Sequence, residues 1–255
     1  MPAAARARLR LWPDPPLGAT RAGRALLVNF VNRAPYISSL TKVVLGVAQA
    51  GTMPAFASES FTSWFARRPK GRGGSRVLLW PDTFNNYFHP AVAKAAVGVL
   101  EDAGFKIVLP QRDPCCGRPL YDYGMLETAR RWLRHVLSSL GEENEAGTPM
   151  VGLEPSCTAV FRDELIELFP HDETARRLQK QTFTLAEFLA SYAPDYQVPK
   201  LHREAIVHGH CHHNYRVSDT GCCGMADAFG FAADHYNVSI PAASAGARPF
   251  GWVSG

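Results

Sequence analysis

Between residues 76 and 208, short apolar runs alternate with stretches of helical periodicity, and this alternation limits the fold more than any other feature. "RVLLW" (76–80), "KIVL" (106–109), "PMVGL" (149–153) and "AIVH" (205–208) have the length and composition of buried strands. Between the first two, "PAVAKAAVGVLEDAG" (90–104) puts Val92, Ala95, Ala96 and Val99 on one helical face. Pro90 suits its first turn and Gly104 the position past its end. "MLETARRWLRHVLSSLG" (125–141) repeats the pattern with Leu126, Ala129, Leu133, Val136 and Leu137. "TAVFRDELIELF" (158–169) and "FTLAEFLASYA" (183–193) read as further helices. Strands separated by helices call for right-handed crossovers, so the four runs are predicted to share one sheet. The expected class is α/β, a short and mostly parallel sheet with helices on both faces.

Around this core, residues 1–75 read as an irregular arm and linker ending in "RRPKGRGGS", and 241–255 as a loose tail. Residues 1–25 are rich in Arg and Ala and poor in acid, like an organelle transit peptide or a stretch translated upstream of the true start. "ISSLTKVVLGVAQA" (37–50) fits an amphipathic helix packed on protein rather than lipid. No run of about 18 apolar residues occurs, so no membrane span is expected and only peripheral association is left open. The net charge of +4 comes largely from Arg-rich stretches outside the patterned segments, with no nucleic-acid motif around them. They read as solvated surface, and no nucleic-acid partner is expected.

The chain has six cysteines and no secretory signal pattern, which points to a reducing compartment, the cytoplasm. Cys115 and Cys116 follow the run at 106–109, Cys157 follows 149–153, and Cys211 follows 205–208. Ligands of parallel sheets gather beyond the carboxyl ends of the strands, so these cysteines are expected at one edge. Cys-Cys-Gly occurs twice, at 115–117 and 222–224. A bridge between adjacent cysteines is strained, whereas thiolates are soft ligands for zinc, copper(I) or iron–sulfur clusters. At least four of the six sulfurs, from Cys115, Cys116, Cys157, Cys211, Cys222 and Cys223, are predicted within roughly 10 Å of one another.

His208, His210, His212 and His213 surround Cys211, and His210 and His212 are candidate auxiliary ligands. A Cys–His zinc site and ligand-free buried thiols are the alternatives to a cluster. Asp113, Arg118, Glu154 and Asp219 beside the cysteines read as loop caps, and Tyr121, Tyr123, Phe229 and Phe231 as packing residues. Without Gly-x-Gly-x-x-Gly or a Walker loop, no flavin site is expected on this chain.

The two halves echo each other. "LLWPDTFNNY" (78–87) aligns with "IVHGHCHHNY" (206–215) on the shared Asn-Tyr, placing Thr83 opposite Cys211. Asn86 to Cys115 spans 29 positions but Asn214 to Cys222 only 8, so the second copy lacks about a helix and a strand. The architecture is therefore expected to have pseudo-repeated halves with the second truncated.

The motifs "PAFASESFTSWFARRP", "DTFNNYFHP", "LPQRDPCCGRPLYDYGML", "VGLEPSC", "TFTLAEFLA", "HGHCHHN" and "GCCGMADAFGFAADHYNVS" together resemble the cysteine-rich CCG domain family. That family includes the iron–sulfur subunit of glycolate oxidase, a cysteine-rich subunit of heterodisulfide reductase and the C-terminal part of FAD-linked D-2-hydroxyacid dehydrogenases. The resemblance makes 76–240 a CCG-type domain with an incomplete second repeat. It implies an iron–sulfur cluster of the 4Fe-4S type, or zinc, held by Cys115, Cys116, Cys157, Cys211, Cys222 and Cys223. It further implies an electron-transfer module partnered with a flavoprotein subunit or domain acting on 2-hydroxy acids. Thr83 stands where the family has a leading cysteine. The other reading is a zinc-binding or metal-free relic, or a non-catalytic interaction module.

Overall fold

The computed structural model describes residues 22–51, 54–69, 73–111 and 115–198, with 233 and 237. The chain divides into two compact units, Phe56–Pro199 and a second made of Met1–Ala55 with Lys200–Gly255. In the second unit, α1 (Ala22–Arg33) is helical where the composition suggests an irregular arm, and α2 (Pro35–Leu45) overlaps the segment 37–50 read as an amphipathic helix. Pro35 opens α2 and Gly46, at φ 66°, closes it. Tyr36, Leu40, Val43 and Val44 of that helix are exposed.

The unit Phe56–Pro199 is built on four strands. β1 (Arg76–Leu79), β2 (Lys106–Val108), β3 (Met150–Gly152) and β4 (Thr182–Thr184) run parallel in the order β2-β1-β3-β4. Around them lie α3 (Phe61–Arg67), α4 (Thr83–Tyr87), α5 (Pro90–Asp102), α6 (Arg118–Asp122), α7 (Leu126–Ser139) and α8 (Gly141–Glu145). After β3 come α9 (Pro155–Arg162), α10 (Glu164–Leu168) and α11 (Glu173–Gln181), and α12 (Leu185–Tyr192) follows β4. The α/β class and the parallel sheet are as expected.

Side chains alternate across the strands and feed two cores. Leu78, Trp80 and Met150 pack with Leu133, Val136 and Leu137 of α7, Cys157, Val160 and Phe161 of α9, and Leu178 of α11. Val77, Leu79, Ile107 and Val151 pack on the other face with Phe61 of α3, Val97 and Leu100 of α5, and Phe188 of α12. A Cβ at Gly152 would run into the Thr158 hydroxyl, so glycine there lets β3 and α9 meet.

Three expectations change. A strand not expected, Thr182–Thr184, overlaps the start of the segment read as helical (183–193); the strand expected at 205–208 lies outside the described residues. Three residues are too few to show a period, but Thr184 and Glu187 form a capping box that fixes the start of α12 at Leu185. On α5 the buried residues are Ala93, Ala96, Val97 and Leu100, while Val92 is half exposed. That helix carries apolar residues around most of its circumference, so periodicity does not choose the face. Finally, α3 belongs to the sheet unit, because Phe61 is fully buried in its core.

Candidate metal centre

Parallel pairing aligns the carboxyl ends of the strands, and three helix N-caps follow them. Asp82 Oδ1 accepts from Asn85 N at 2.9 Å to cap α4. Glu154 Oε2 accepts from Cys157 N at 2.7 Å to cap α9. Thr184 caps α12 through Glu187 N at 3.3 Å. Because β1 lies between β2 and β3, the loop carrying Asp82 and Thr83 lies between two cysteine-bearing segments. Cys115 and Cys116 come from the connection after β2, and Cys157 from the first turn of α9 after β3.

These three cysteines converge. All are free thiols, with Cys116 and Cys157 buried and Cys115 partly so. The Cys157 and Cys116 sulfurs stand 2.9 Å apart. The neighbouring Cys116 thiol raises the Cys115 pKa and the Thr83 hydroxyl lowers it. Gly117 has φ 79°, the left-handed region, and a Cβ there would sit 3.0 Å from the Trp132 ring. Its N–H donates to Cys115 Sγ at 3.4 Å, while Trp132 Nε1 donates to the Cys115 carbonyl at 2.7 Å. Glycine after the doublet is thus required by both backbone conformation and space.

Crowding and burial keep the sulfurs protonated. The Cys116 contact and then desolvation push the Cys115 thiol well above its ordinary range. Cys116 gains stabilisation of its thiolate from Cys115, but its bond to Cys157 and its burial outweigh this and raise it strongly. For Cys157 the Cys116 contact likewise favours the thiolate, yet desolvation and the Glu154 carboxylate push it up to about 12. Burial raises Asp82 also, with Glu154 nearby adding to the effect. A cation entering here would therefore have to displace protons from sulfur.

Among the described residues, no three His, Cys, Asp or Glu side chains form a ready cage for a metal ion. At 2.9 Å the Cys116 and Cys157 sulfurs are closer than the roughly 3.8 Å that tetrahedral zinc–thiolate bonds impose, so a shared metal would have to part them. The donor chemistry nevertheless fits a soft metal or an iron–sulfur cluster: three thiols from adjacent loops, with a backbone N–H on one sulfur. The buried Trp80 indole N–H, in the same core as Cys116 and Cys157, has no hydrogen-bond partner among the described residues.

The remaining expected site residues, Asp113, Cys211, Cys222, Cys223, Asp219 and His208, His210, His212 and His213, lie outside the described residues, as do Phe229 and Phe231. Glu154 is the cap that the sequence suggested. Arg118 instead pairs with Glu164 and, at 2.9 Å, with Asp122. Tyr121 donates to Glu167 at 2.7 Å on the surface. Asn86, one of the two residues shared by the repeated segments, accepts from Thr62 N at 3.0 Å and so ties α4 to α3. Trp132 carried no sequence signal beyond its place in the helical pattern.

Residues 82–162 match the profile of the CCG cysteine-rich domain. The chain is 24% identical over 247 residues to one of the subunits of the anaerobic glycerol-3-phosphate dehydrogenase of Escherichia coli K12, covering 88% of this chain and 62% of that protein. Over 142 residues it is 30% identical to lactate utilization protein A of Bacillus velezensis, covering 54% of this chain and 58% of that protein. The Bacillus subtilis protein of the same name is 28% identical over 142 residues, with the same coverage. The chain thus spans less than two thirds of each of these relatives. No solved structure gives a significant match.

Proposed function

Taking as premise that the chain carries a CCG cysteine-rich domain over residues 82–162, we propose that it is an iron–sulfur electron-transfer module of a multi-subunit dehydrogenase. The observation that carries this reading is the meeting of Cys115, Cys116 and Cys157 beyond the carboxyl ends of β2 and β3. Cysteines at such a sheet edge hold a soft centre where a second protein can approach it. The similar E. coli protein is named as a dehydrogenase subunit, which favours a partner subunit here. Lactate and glycerol 3-phosphate both carry a secondary alcohol whose oxidation releases two electrons. A partner flavoprotein that takes them as a pair, from a 2-hydroxy acid or a related alcohol, fits that chemistry. The reducing cytoplasm suits a centre of free thiols. No helix among the described residues is long and apolar enough to cross a membrane.

A bound iron–sulfur cluster would accept and release electrons one at a time. The chain's own part is to hold and tune it. Cys116 and Cys157, buried with Trp80 and Phe161 in one core, keep water from their sulfurs. The Gly117 N–H on Cys115 stabilises the thiolate, and such bonds raise the potential of the centre they serve. The Glu154 and Asp82 carboxylates act in the opposite sense, adding negative charge beside Cys157.

Anaerobic purification followed by iron, sulfide and zinc analysis tests the reading. Iron and acid-labile sulfide in comparable amounts, with broad visible absorbance bleached by dithionite, are expected. Stoichiometric zinc, or thiols with no metal after reconstitution with iron and sulfide, would overturn it.

A further inference from the structure

Two bonds join α6, which follows the cysteine doublet, to α10, which follows the helix of Cys157. Arg118 pairs with Glu164, and Tyr121 donates to Glu167 at 2.7 Å. Each bond joins residues 46 apart, so the two stand as rungs three residues apart on both helices. Three residues of helix rise about 4.5 Å. Sliding α6 by one rung would offer Arg118 to Glu167 and carry Cys116 away from Cys157, whose sulfurs now stand 2.9 Å apart. The Arg118–Glu164 rung is buried, its side chains 13% and 9% exposed. A further bond, to Asp122 at 2.9 Å, orients the guanidinium. One guanidinium between two carboxylates leaves no surplus positive charge to attract thiolates. Stability is not what the pair supplies either. Both charges lose hydration on burial, and Glu164 Oε2 is buried without a hydrogen-bond partner among the described residues. What such a pair can contribute is one arrangement chosen among several.

We propose that Arg118 is a positioning residue for the cysteine centre: its pair with Glu164 sets the register of α6 against α10 and so holds Cys116 on Cys157. The Tyr121–Glu167 rung guards the same register from the surface. Cys116 stands two residues before Arg118 and Cys157 seven before Glu164, so the pair ties the two segments close to their sulfurs. Gly117 alone separates Cys116 from Arg118, and its φ of 79° makes the turn between them. The inference rests on the reading of Cys116 and Cys157 as parts of one centre. It concerns only how the two thiols are brought together, whatever they hold.

Oxidation of the reduced, metal-free full chain by diamide tests it. Diamide takes one hydrogen from each of two thiols and leaves a disulfide, which alkylation and peptide mapping then locate. A Cys116–Cys157 bond is expected as the main product of the wild type. Arg118→Ala should lower its yield by about tenfold, as misplacement of reacting groups does, and raise alkylated Cys116 and Cys157. Glu164→Ala should lower it equally, and the double variant no further, because each removes the same rung. Arg118→Lys should give an intermediate yield, and Tyr121→Phe a smaller fall than Arg118→Ala. Arg68→Ala removes a partly buried pair with Glu101 on the other face of the sheet. It should lower the urea midpoint and leave the yield unchanged. If Arg118→Ala fails to fold, Glu164→Ala and Arg118→Lys decide by the same yield. A wild type without the Cys116–Cys157 bond, an unchanged yield in Arg118→Ala, or an equal fall in Arg68→Ala would overturn the proposal. So would an unchanged or higher yield in Glu164→Ala, which would show Arg118 acting on the sulfurs by charge. A chain that gives the expected yields but holds neither iron nor sulfide keeps the register and loses the electron-transfer reading.

Discussion

Gly117 shows how one residue can serve backbone, packing and site together. Its left-handed φ of 79°, its proximity to Trp132 and its N–H on Cys115 all bear on the doublet. Gly117→Ala should lose about 1–2 kcal/mol from the left-handed conformation, with further loss from the indole contact, as read by urea unfolding. The same variant should lower metal affinity, because a displaced backbone no longer aims its N–H at sulfur. Trp132→Phe, which keeps an aromatic ring of smaller size but removes the 2.7 Å bond to the Cys115 carbonyl, should have the smaller effect of the two. An equal or larger loss of affinity in Trp132→Phe would show that carbonyl tethering, not glycine, orders the doublet.

At the scale of elements, α9 carries Cys157 at its start and Arg162 at its end. Arg162 donates to the Thr182 carbonyl at 2.9 Å and pairs with Glu187, fastening α9 to β4 and α12. The Arg162 bond, outweighing desolvation and helped by Thr184, lowers the Glu187 pKa from 4.5 to about 2. The folded state thus favours the ionised carboxylate. Its stabilisation is complete above pH 4.5 and fades as pH falls toward 2. Glu187→Gln should flatten the acid limb of the stability profile over that window, and added salt should shrink the difference because the pair is partly exposed. Elsewhere, Phe61→Ala should cost about 3–5 kcal/mol by chemical denaturation, as for a fully buried aromatic ring. A surface-like loss below about 1 kcal/mol would detach α3 from the core. The first three strands and α5, α7 and α12 were legible because apolar runs and punctuation span several residues. β4 was not, since Thr-Phe-Thr holds barely one alternation, and the Thr184–Glu187 capping box that separates it from α12 went unread. The placing of Cys115, Cys116 and Cys157 at one edge was legible from topology alone, since strands that end together bring their following residues together; Cys211, Cys222 and Cys223 lie outside the described residues. The Trp132–Cys115 bond was not, because it joins segments 17 residues apart that sequence pattern cannot pair.

At the scale of the molecule, Phe56–Pro199 holds both cores and all four described strands. A fragment of residues 56–199 should therefore fold by itself, with a single cooperative melt and the helical far-ultraviolet spectrum of the sheet unit. A gradual, non-cooperative melt would show that it depends on the rest of the chain. The contact between Cys116 and Cys157 has a consequence for how this unit tolerates unfolding. Their sulfurs join points 41 residues apart in the chain. Any bond that ties them, through a shared metal or directly to each other, removes conformations from the unfolded ensemble. By the loop-closure relation, a ring of this size corresponds to about 4 kcal/mol of chain entropy at room temperature. That is a sizeable fraction of the stability of an ordinary domain. Loss of the bond would consequently be felt first in the unfolding equilibrium, with every native hydrogen bond of the sheet still in place.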